Sequence, residues 1–179
     1  MPAYVALLRG INVGGHRLIK MADLRAVFVA ADADDVVTYI QSGNVVFTHA
    51  ARSEPTLVAE LEKRIAKAAG FPVPVVLRTA GQLARVIADS PFPEADADHV
   101  HVAFLAARPP ANAPTIDARA LAPERFAAVG RELYLYLPDG TGRSKLAAAV
   151  LAKPKAIGAG ATARNWRTVL KLNELASAR

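Results

Sequence analysis

The order of short apolar runs and helical patterns in the first 80 residues constrains the fold most strongly. β-Branched and aromatic runs, typical of strands, alternate with stretches whose apolar residues have helical spacing. The predicted strands are Tyr4–Leu8, Val36–Ile40, Asn44–Thr48 and Val73–Arg78. Helices are predicted from Lys20 to Ala31 and from Ser53 to Gly70. This order, β-α-β-β-α-β, is the split βαβ arrangement of a ferredoxin-like αβ plait.

The second half repeats the pattern less cleanly. Its predicted strands are His99–Leu105, Phe126–Val129, Leu133–Leu137 and Ala161–Ala163, and its predicted helices are Pro114–Leu121, Ser144–Ala152 and Asn165–Ser177. We therefore predict an α+β fold of two tandem ferredoxin-like subdomains, with antiparallel sheets and helices packed on one face of each sheet. The expected limits are 1–80 for the first subdomain, 81–98 for a connecting helix and linker, and 99–179 for the second subdomain with its C-terminal helix.

Local signals fix several ends of these elements. Ser53 is predicted to cap the second helix and Gly70 to end it. Thr79 and Gln82 have the spacing of a capping box for a third helix. Pro74 lacks a backbone N–H, so its strand is expected at an edge of the sheet.

Net charge is concentrated near the C-terminus. The chain carries 22 Lys and Arg against 16 Asp and Glu, but residues 140–179 contain eight of the basic residues and one acidic residue. Residues 1–139 are therefore nearly neutral as a whole. This distribution indicates a local field for an anion rather than a generally basic surface.

Two polar loops of the first half are expected to meet. In a split βαβ sheet, the end of strand 1 and the hairpin between strands 2 and 3 lie at the same edge. Glycine lets a ligand approach the backbone closely, and Asn and Gln side chains supply both donors and acceptors. The candidate ligand-binding residues of this edge are Arg9, Gly10, Asn12, Gly14, Gly15, Gln41, Ser42 and Asn44.

Basic motifs of the second half are expected to meet in the same way. They follow strands 3 and 4 and open two helices, whose N-terminal N–H groups favour anions. The candidate ligand-binding residues here are Arg143, Ser144, Lys145, Arg164 and Asn165. If the two edges face each other, one interdomain cleft would hold a small ligand bearing phosphate or carboxylate.

Structural alternatives exist for each of these motifs. The glycines and Ser42-Gly43 are also compatible with plain turns, Ser144 with a helix cap, and the basic side chains with a solvated face. Nucleic-acid binding through the basic C-terminal segment is an alternative function, although the aromatic stacking platform of RNA-recognition domains is largely missing. A structural or dimerisation module that pairs through an edge strand is a third alternative.

Several chemistries are excluded or lack support. The absence of cysteine excludes disulfides, thiol nucleophiles and cysteine-bound metals. His99 and His101 share a strand face, but no third ligand lies nearby, so we predict no metal and no cofactor. Ser42, Ser144 or His16 would catalyse a reaction only with a partner in reach, and no partnered pattern is present, so enzymatic activity stays open. The N-terminus lacks the pattern of a signal peptide and no apolar stretch is long enough for a membrane span, so a cytoplasmic location is expected.

Four long motifs carry a family resemblance. YVALLRGINVGG (4–15), TYIQSGNVVF (38–47), GRSKL (142–146) and TARNWRTVLKL (162–172) resemble those of the bacterial family known as domain of unknown function 1697. The similarity runs over essentially the whole chain and in the same order. It implies a cytoplasmic bacterial protein of two ferredoxin-like subdomains. It brings no activity and no catalytic residue, because the family is uncharacterised.

Overall fold

Strands and helices alternate along the chain in the order that the sequence predicts. A computed structural model describes residues 1–109, 117–152 and 160–179. The elements of the first half are β1 Ala3–Leu8, α1 Met21–Val29, β2 Asp34–Tyr39, β3 Asn44–Thr48, α2 Glu54–Ala69, β4 Val75–Thr79 and α3 Ala80–Ala88. Those of the second half are β5 Val100–Leu105, β6 Arg125–Val129, β7 Glu132–Tyr136, α4 Lys145–Ala152, β8 Ala161–Asn165 and α5 Trp166–Ser177, with short 3-10 helices at Ala118–Leu121 and Thr141–Arg143.

The strands form two four-stranded antiparallel sheets of the same topology. Their orders are β2-β3-β1-β4 and β6-β7-β5-β8. The predicted α+β fold with tandem ferredoxin-like arrangements is therefore confirmed. The chain divides into two compact units, residues 1–84 with 172–179, and residues 85–171. The finer limits 1–80, 81–98 and 99–179 stay predictions.

The core of the first unit lies between its sheet and the helices α1 and α2. The helix-facing side of the sheet carries Tyr4 and Phe47, whose rings are stacked with centroids 5.7 Å apart. Phe28 of α1 meets Phe47 edge-to-face at 5.0 Å. The predicted apolar stripe of α2 is buried in the same cluster, at Leu57, Leu61 and Ile65.

The predicted caps of α2 and α3 are confirmed, whereas α1 begins one residue after the predicted Lys20 and ends at Val29, two residues before the predicted Ala31. Ser53 caps α2 by accepting a hydrogen bond from the Thr56 N–H, and Gly70 ends α2 with a φ of 81°. The Thr79 hydroxyl accepts from the Gln82 N–H, while the Gln82 side chain accepts from the Thr79 N–H, which completes the capping box.

Two strands of the first unit begin two residues from their predicted starts, and β1 begins one residue early, at Ala3. β2 begins two residues early, at Asp34, because a bulge between Asp34 and Val37 lets the chain start pairing before the apolar run. β4 begins at Val75, after Pro74, whose carbonyl accepts from the Arg9 N–H at 3.0 Å. β4 is an edge strand, as Pro74 predicts.

The second unit has a leucine-rich core on the helix-facing side of its sheet. Leu133, Leu135 and Leu137 pack there with Leu146 and Val150 of α4. On the opposite face, the buried Tyr134 hydroxyl donates to the Val86 carbonyl at 2.7 Å. The predicted helix Pro114–Leu121 lies partly outside the described residues, and its described end, Ala118–Leu121, is a 3-10 helix.

Candidate functional site

The two polar loops of the first unit meet at one edge of its sheet, as the topology predicts. Leu7 at the end of β1 pairs with Asn44 at the start of β3. The Leu8 N–H donates to the Gly43 carbonyl at 2.8 Å. We call residues 9–20 together with 39–44 the glycine-loop edge.

Asn12 fastens the loops to each other. Its Nδ2 donates to the Gln41 carbonyl at 2.8 Å and to the Ile19 carbonyl at 3.0 Å, and its Oδ1 accepts from the Ile19 N–H at 2.8 Å. Asn12 has a φ of 54°, a conformation that Asn tolerates better than most residues. These three bonds occupy the amide, so Asn12 positions the edge.

The hairpin is also held by its own side chains. Asn44 is fully buried, and its Nδ2 donates to the Tyr39 carbonyl at 3.0 Å and to the Ser42 hydroxyl at 2.9 Å. Asn44 and Ser42 therefore stabilise the turn. Gln41 is exposed. It contributes to the edge through its backbone carbonyl, which accepts the hydrogen bond from Asn12.

The glycines of the first loop leave its backbone open. Gly10, Gly14 and Gly15 are exposed and have positive φ angles of 65°, 59° and 77°. A Cβ placed on any of them would have no heavy atom within 4 Å. The His16 N–H donates to the Val13 carbonyl at 3.1 Å, which closes a tight turn around Gly14 and Gly15. A ligand can approach this backbone without displacing a side chain.

The segment that contains these glycines is basic. Residues 9–20 contain three basic side chains and His16 but no acidic residue. Arg9 is half-buried, while Arg17 donates to the Pro72 carbonyl and lies 5.0 Å from the centre of the Phe71 ring. Lys20 is exposed. Arg17 and Lys20 were missed as candidates because the net charge of residues 1–139 is close to zero and hides the local positive charge of residues 9–20. A count of charged residues in a 12-residue window shows that this segment is basic.

Large apolar side chains are also exposed at this edge. Val13, Leu18 and Ile40 are 68%, 66% and 50% exposed. Each is the chain neighbour of a residue that takes part in the Asn12 hydrogen bonds, so the backbones of all three lie near these bonds. Exposed apolar side chains mark a contact surface where they form a contiguous patch.

The basic motifs of the second unit also follow the expected edge of the sheet. β7 and β8 both run antiparallel to β5 on either side of it, so their C-terminal ends flank the start of β5. The predicted residues thus fall into two groups, one in each unit. A cleft shared by both groups stays a prediction.

The start of α4 is already occupied by groups of the chain itself. The buried Ser144 hydroxyl accepts from the Ala147 N–H at 2.8 Å, which makes Ser144 the N-cap. The Glu124 carboxylate accepts from the Leu146 N–H at 3.0 Å. An internal anion therefore fills part of the helix N-terminus that the sequence suggests for a ligand.

Arg164 and Asn165 likewise serve the fold. Arg164 is buried and donates to the Thr162 hydroxyl at 2.7 Å and to the Ala163 carbonyl at 2.8 Å. Burial lowers the pKa of Arg164 to about 10. The Asn165 Oδ1 accepts from the Thr168 N–H at 2.8 Å and so caps α5.

The other basic residues of the C-terminal segment differ in exposure and pairing. Arg143 and Lys145 are exposed and make no ion pair within the described ranges. Arg167 forms a two-point ion pair with Asp98, at 2.5 and 3.0 Å. The hydrogen bond from Arg167 lowers the pKa of Asp98, and the same bond raises the pKa of Arg167. Lys153 and Lys155 lie outside the described residues.

His99 and His101, the two histidines of the predicted strand, have different surroundings. The His99 ring meets the Tyr136 ring edge-to-face at 6.2 Å. His101 is half-buried, desolvation lowers its pKa, and its Nδ1 has no hydrogen-bond partner within the part of the chain that is described. Among residues 1–109, 117–152 and 160–179, no three His, Asp or Glu side chains are grouped to hold a metal. No helix in these ranges is both long and apolar enough to span a membrane.

Comparisons with known proteins agree with this fold. The conserved bacterial protein SP0830 from Streptococcus pneumoniae has a similar structure, with a TM-score of 0.77 and 22% identity over 99% of each chain. No curated protein is significantly similar in sequence. The model of the family described as "protein of unknown function (DUF1697)" matches residues 1–134, which include the whole glycine-loop edge. The chain belongs to this DUF1697 family.

Proposed function

We propose that the protein binds a small ligand bearing phosphate or carboxylate at the glycine-loop edge. The observation that carries this proposal is an exposed glycine backbone, at Gly10, Gly14 and Gly15, beside a run of basic side chains without an acidic residue. The Asn12 hydrogen bonds hold this backbone in place before a ligand arrives. A preorganised loop loses less entropy on binding than a mobile one.

The chemistry of the edge favours an oxyanion. Backbone N–H groups and a guanidinium both donate to oxyanions, and hydrogen bonds to charged groups contribute about 1.5–3 kcal/mol each. Solvent screens charges at an exposed edge, so the lower end of this range applies. Two such bonds contribute about 3 kcal/mol, which corresponds to a dissociation constant of about 6 mM. A ligand with further groups would bind more tightly.

A titration with inorganic phosphate followed by NMR tests this proposal. The expected result is a saturable shift of the Gly10, Gly14 and Gly15 amide signals. Lys20→Gln should weaken binding by about two- to fivefold, the effect of one exposed charge. Lys63→Gln is the matched control, because Lys63 is an exposed lysine of α2 in the same unit. Shifts confined to the Arg143 and Lys145 region, or equal effects of the two variants, would contradict the proposal.

A second candidate function is that of a protein-interaction module. The exposed side chains Val13, Leu18 and Ile40 support it. Their basic surroundings disfavour pairing of this edge with the same edge of a second copy, since like charges would meet. Sedimentation over a range of concentrations distinguishes the cases: a dimer that Ile40→Ser weakens would support self-association through this edge, and a dimer insensitive to that change would place the contact elsewhere.

Nucleic-acid binding would have a different signature. It predicts an affinity that falls steeply with salt and with neutralisation of Arg143 and Lys145. Titration of single-stranded RNA at two salt concentrations separates this outcome from binding of a small anion. A salt-insensitive affinity would exclude it.

A further inference from the structure

A cavity of the second unit is used by none of these functions. It has a volume of about 440 Å³, within the range of small-molecule sites. The Pro- and Asp-rich segment 89–98 forms one wall, and β6 and β7 supply the other. Its aromatic and charged lining residues are Phe92, Glu94, Asp96, His99, Arg125 and Tyr136.

Two aromatic rings hold the Arg125 guanidinium. Its Cζ lies 5.2 Å from the centre of the Phe92 ring and 4.7 Å from the centre of the Tyr136 ring. The rings themselves are 6.1 Å apart and inclined by 48°. These contacts involve the π faces of the rings, so they orient the guanidinium without consuming its N–H donors.

The N–H donors of Arg125 remain available. Within the described ranges the exposed side chain of Arg125 makes no hydrogen bond and no ion pair. A guanidinium presents parallel N–H groups that fit a carboxylate or phosphate at two points. An arginine oriented by stacking and free at its edge is thus preorganised for an oxyanion.

A carboxylate lines the same cavity without neutralising Arg125. Glu94 is exposed and forms no ion pair among residues 1–109, 117–152 and 160–179. Asp96 accepts from the Asp98 N–H at 2.9 Å, which engages one of its oxygens in a local turn. Opposite charges that share a cavity but do not pair are complementary to a ligand with both charges.

We propose that this cavity binds a small zwitterion of the amino-acid type. Its carboxylate would pair with Arg125 and its ammonium group with Glu94. An apolar or aromatic side chain would lie against the Phe92 and Tyr136 rings, for which stacking with an aromatic group is favourable. The site is independent of the glycine-loop edge, so failure of phosphate binding there leaves it unaffected.

Three matched probes test the proposal by isothermal titration calorimetry. L-Phenylalanine has both charges, phenylacetate lacks the ammonium group, and phenethylamine lacks the carboxylate. L-Phenylalanine should bind at least tenfold more tightly than either of the others. Arg125→Gln should weaken L-phenylalanine and phenylacetate at least tenfold and leave phenethylamine unchanged. Glu94→Gln should weaken L-phenylalanine and phenethylamine and leave phenylacetate unchanged.

Control variants separate the site from general effects. Arg85→Gln removes an exposed arginine of the same unit outside the cavity and should leave all three affinities unchanged. Arg125→Lys should restore part of the phenylacetate binding, because it keeps the charge but loses the fork. Circular dichroism confirms that each variant is folded. Absence of binding by all three probes, or equal affinities that ignore Arg125→Gln, would overturn the proposal.

Discussion

The replacement of Gly43 by Ala tests how tightly the two loops of the glycine-loop edge fit together. Gly43 has a φ of 78°, and an added Cβ would lie 2.7 Å from Leu8 Cβ and 2.8 Å from Ile11 Cδ1. The Gly43 carbonyl is also bonded to the Leu8 N–H at 2.8 Å, which limits how far the hairpin can retreat. Both the backbone conformation and the surrounding space therefore oppose a side chain here.

The expected cost has two parts. A non-glycine residue in the left-handed region costs about 1–2 kcal/mol. An extra methyl group in packed surroundings costs about a further 1–3 kcal/mol. We therefore expect Gly43→Ala to lower the free energy of unfolding by about 2–5 kcal/mol, a large share of the about 5–15 kcal/mol that is usual for a folded domain.

Gly10→Ala is the matched control. Gly10 has a similar φ of 65°, but no heavy atom lies within 4 Å of its added Cβ. It should cost about 1–2 kcal/mol, the conformational part alone. Urea unfolding followed by far-UV circular dichroism measures both variants against the wild type. If the two substitutions cost the same, the close approach of the hairpin to Leu8 and Ile11 is refuted.

Three further predictions concern residues that the sequence suggests for ligands or metals. Asn12→Ala should lower the free energy of unfolding by about 2 kcal/mol, because it removes the hydrogen bonds of Asn12 and places alanine at a positive φ. Asn12→Gly should lower it less, because it removes only the hydrogen bonds. Urea unfolding of the two variants measures the difference. Ser144→Ala should cost about 1 kcal/mol as a lost N-cap, with unchanged phosphate affinity by NMR. Desolvation lowers the pKa of His101, so the unfolded state binds its proton first and wild-type stability falls as the pH drops below about 6.5, the ordinary histidine value. His101→Gln should flatten this loss in melting curves recorded between about pH 5 and 8, and an identical profile would refute it.

Features set by neighbours in the sequence were predictable. The caps at Ser53, at Gly70 and at Thr79 with Gln82 are all confirmed, because the partners of these bonds lie within a few residues. The strand order follows from the same alternation of elements, since few topologies connect them without crossing. The bulge in β2 was missed because it depends on pairing with β3, which the local sequence does not encode.

The roles of the site residues depend on distant partners, and the sequence predicts those less well. Glu124 is 22 positions from Leu146, so its place at the start of α4 gives no local signal. Arg164 was expected to face a ligand because it follows the last strand and precedes a helix, yet it is buried in the sheet. The convergence of the first-unit loops was predictable because it follows from strand direction alone.

Both units contain a buried arginine that is followed by a helix cap. This repetition helps to distinguish motifs that the fold requires from motifs that are available for function. Arg78 pairs with Val5 in the first unit, and Arg164 pairs with Val102 at the matching position of the second. Each arginine is buried and donates to the carbonyl of the residue before it, at 2.7 and 2.8 Å. A helix-capping residue follows in both cases, Thr79 and Asn165.

A motif with a counterpart in the other unit is explained by the fold that both units share. This repetition accounts for Arg164 and Asn165 without a ligand. The glycines that follow β1 have no such counterpart, because β5 is followed by Ala106-Ala107-Arg108. No requirement of the shared topology accounts for an exposed Gly14-Gly15 turn among basic residues, since the second unit forms the same sheet without it. The asymmetry between the units therefore favours the glycine-loop edge over the C-terminal motifs as the site of the proposed anionic ligand.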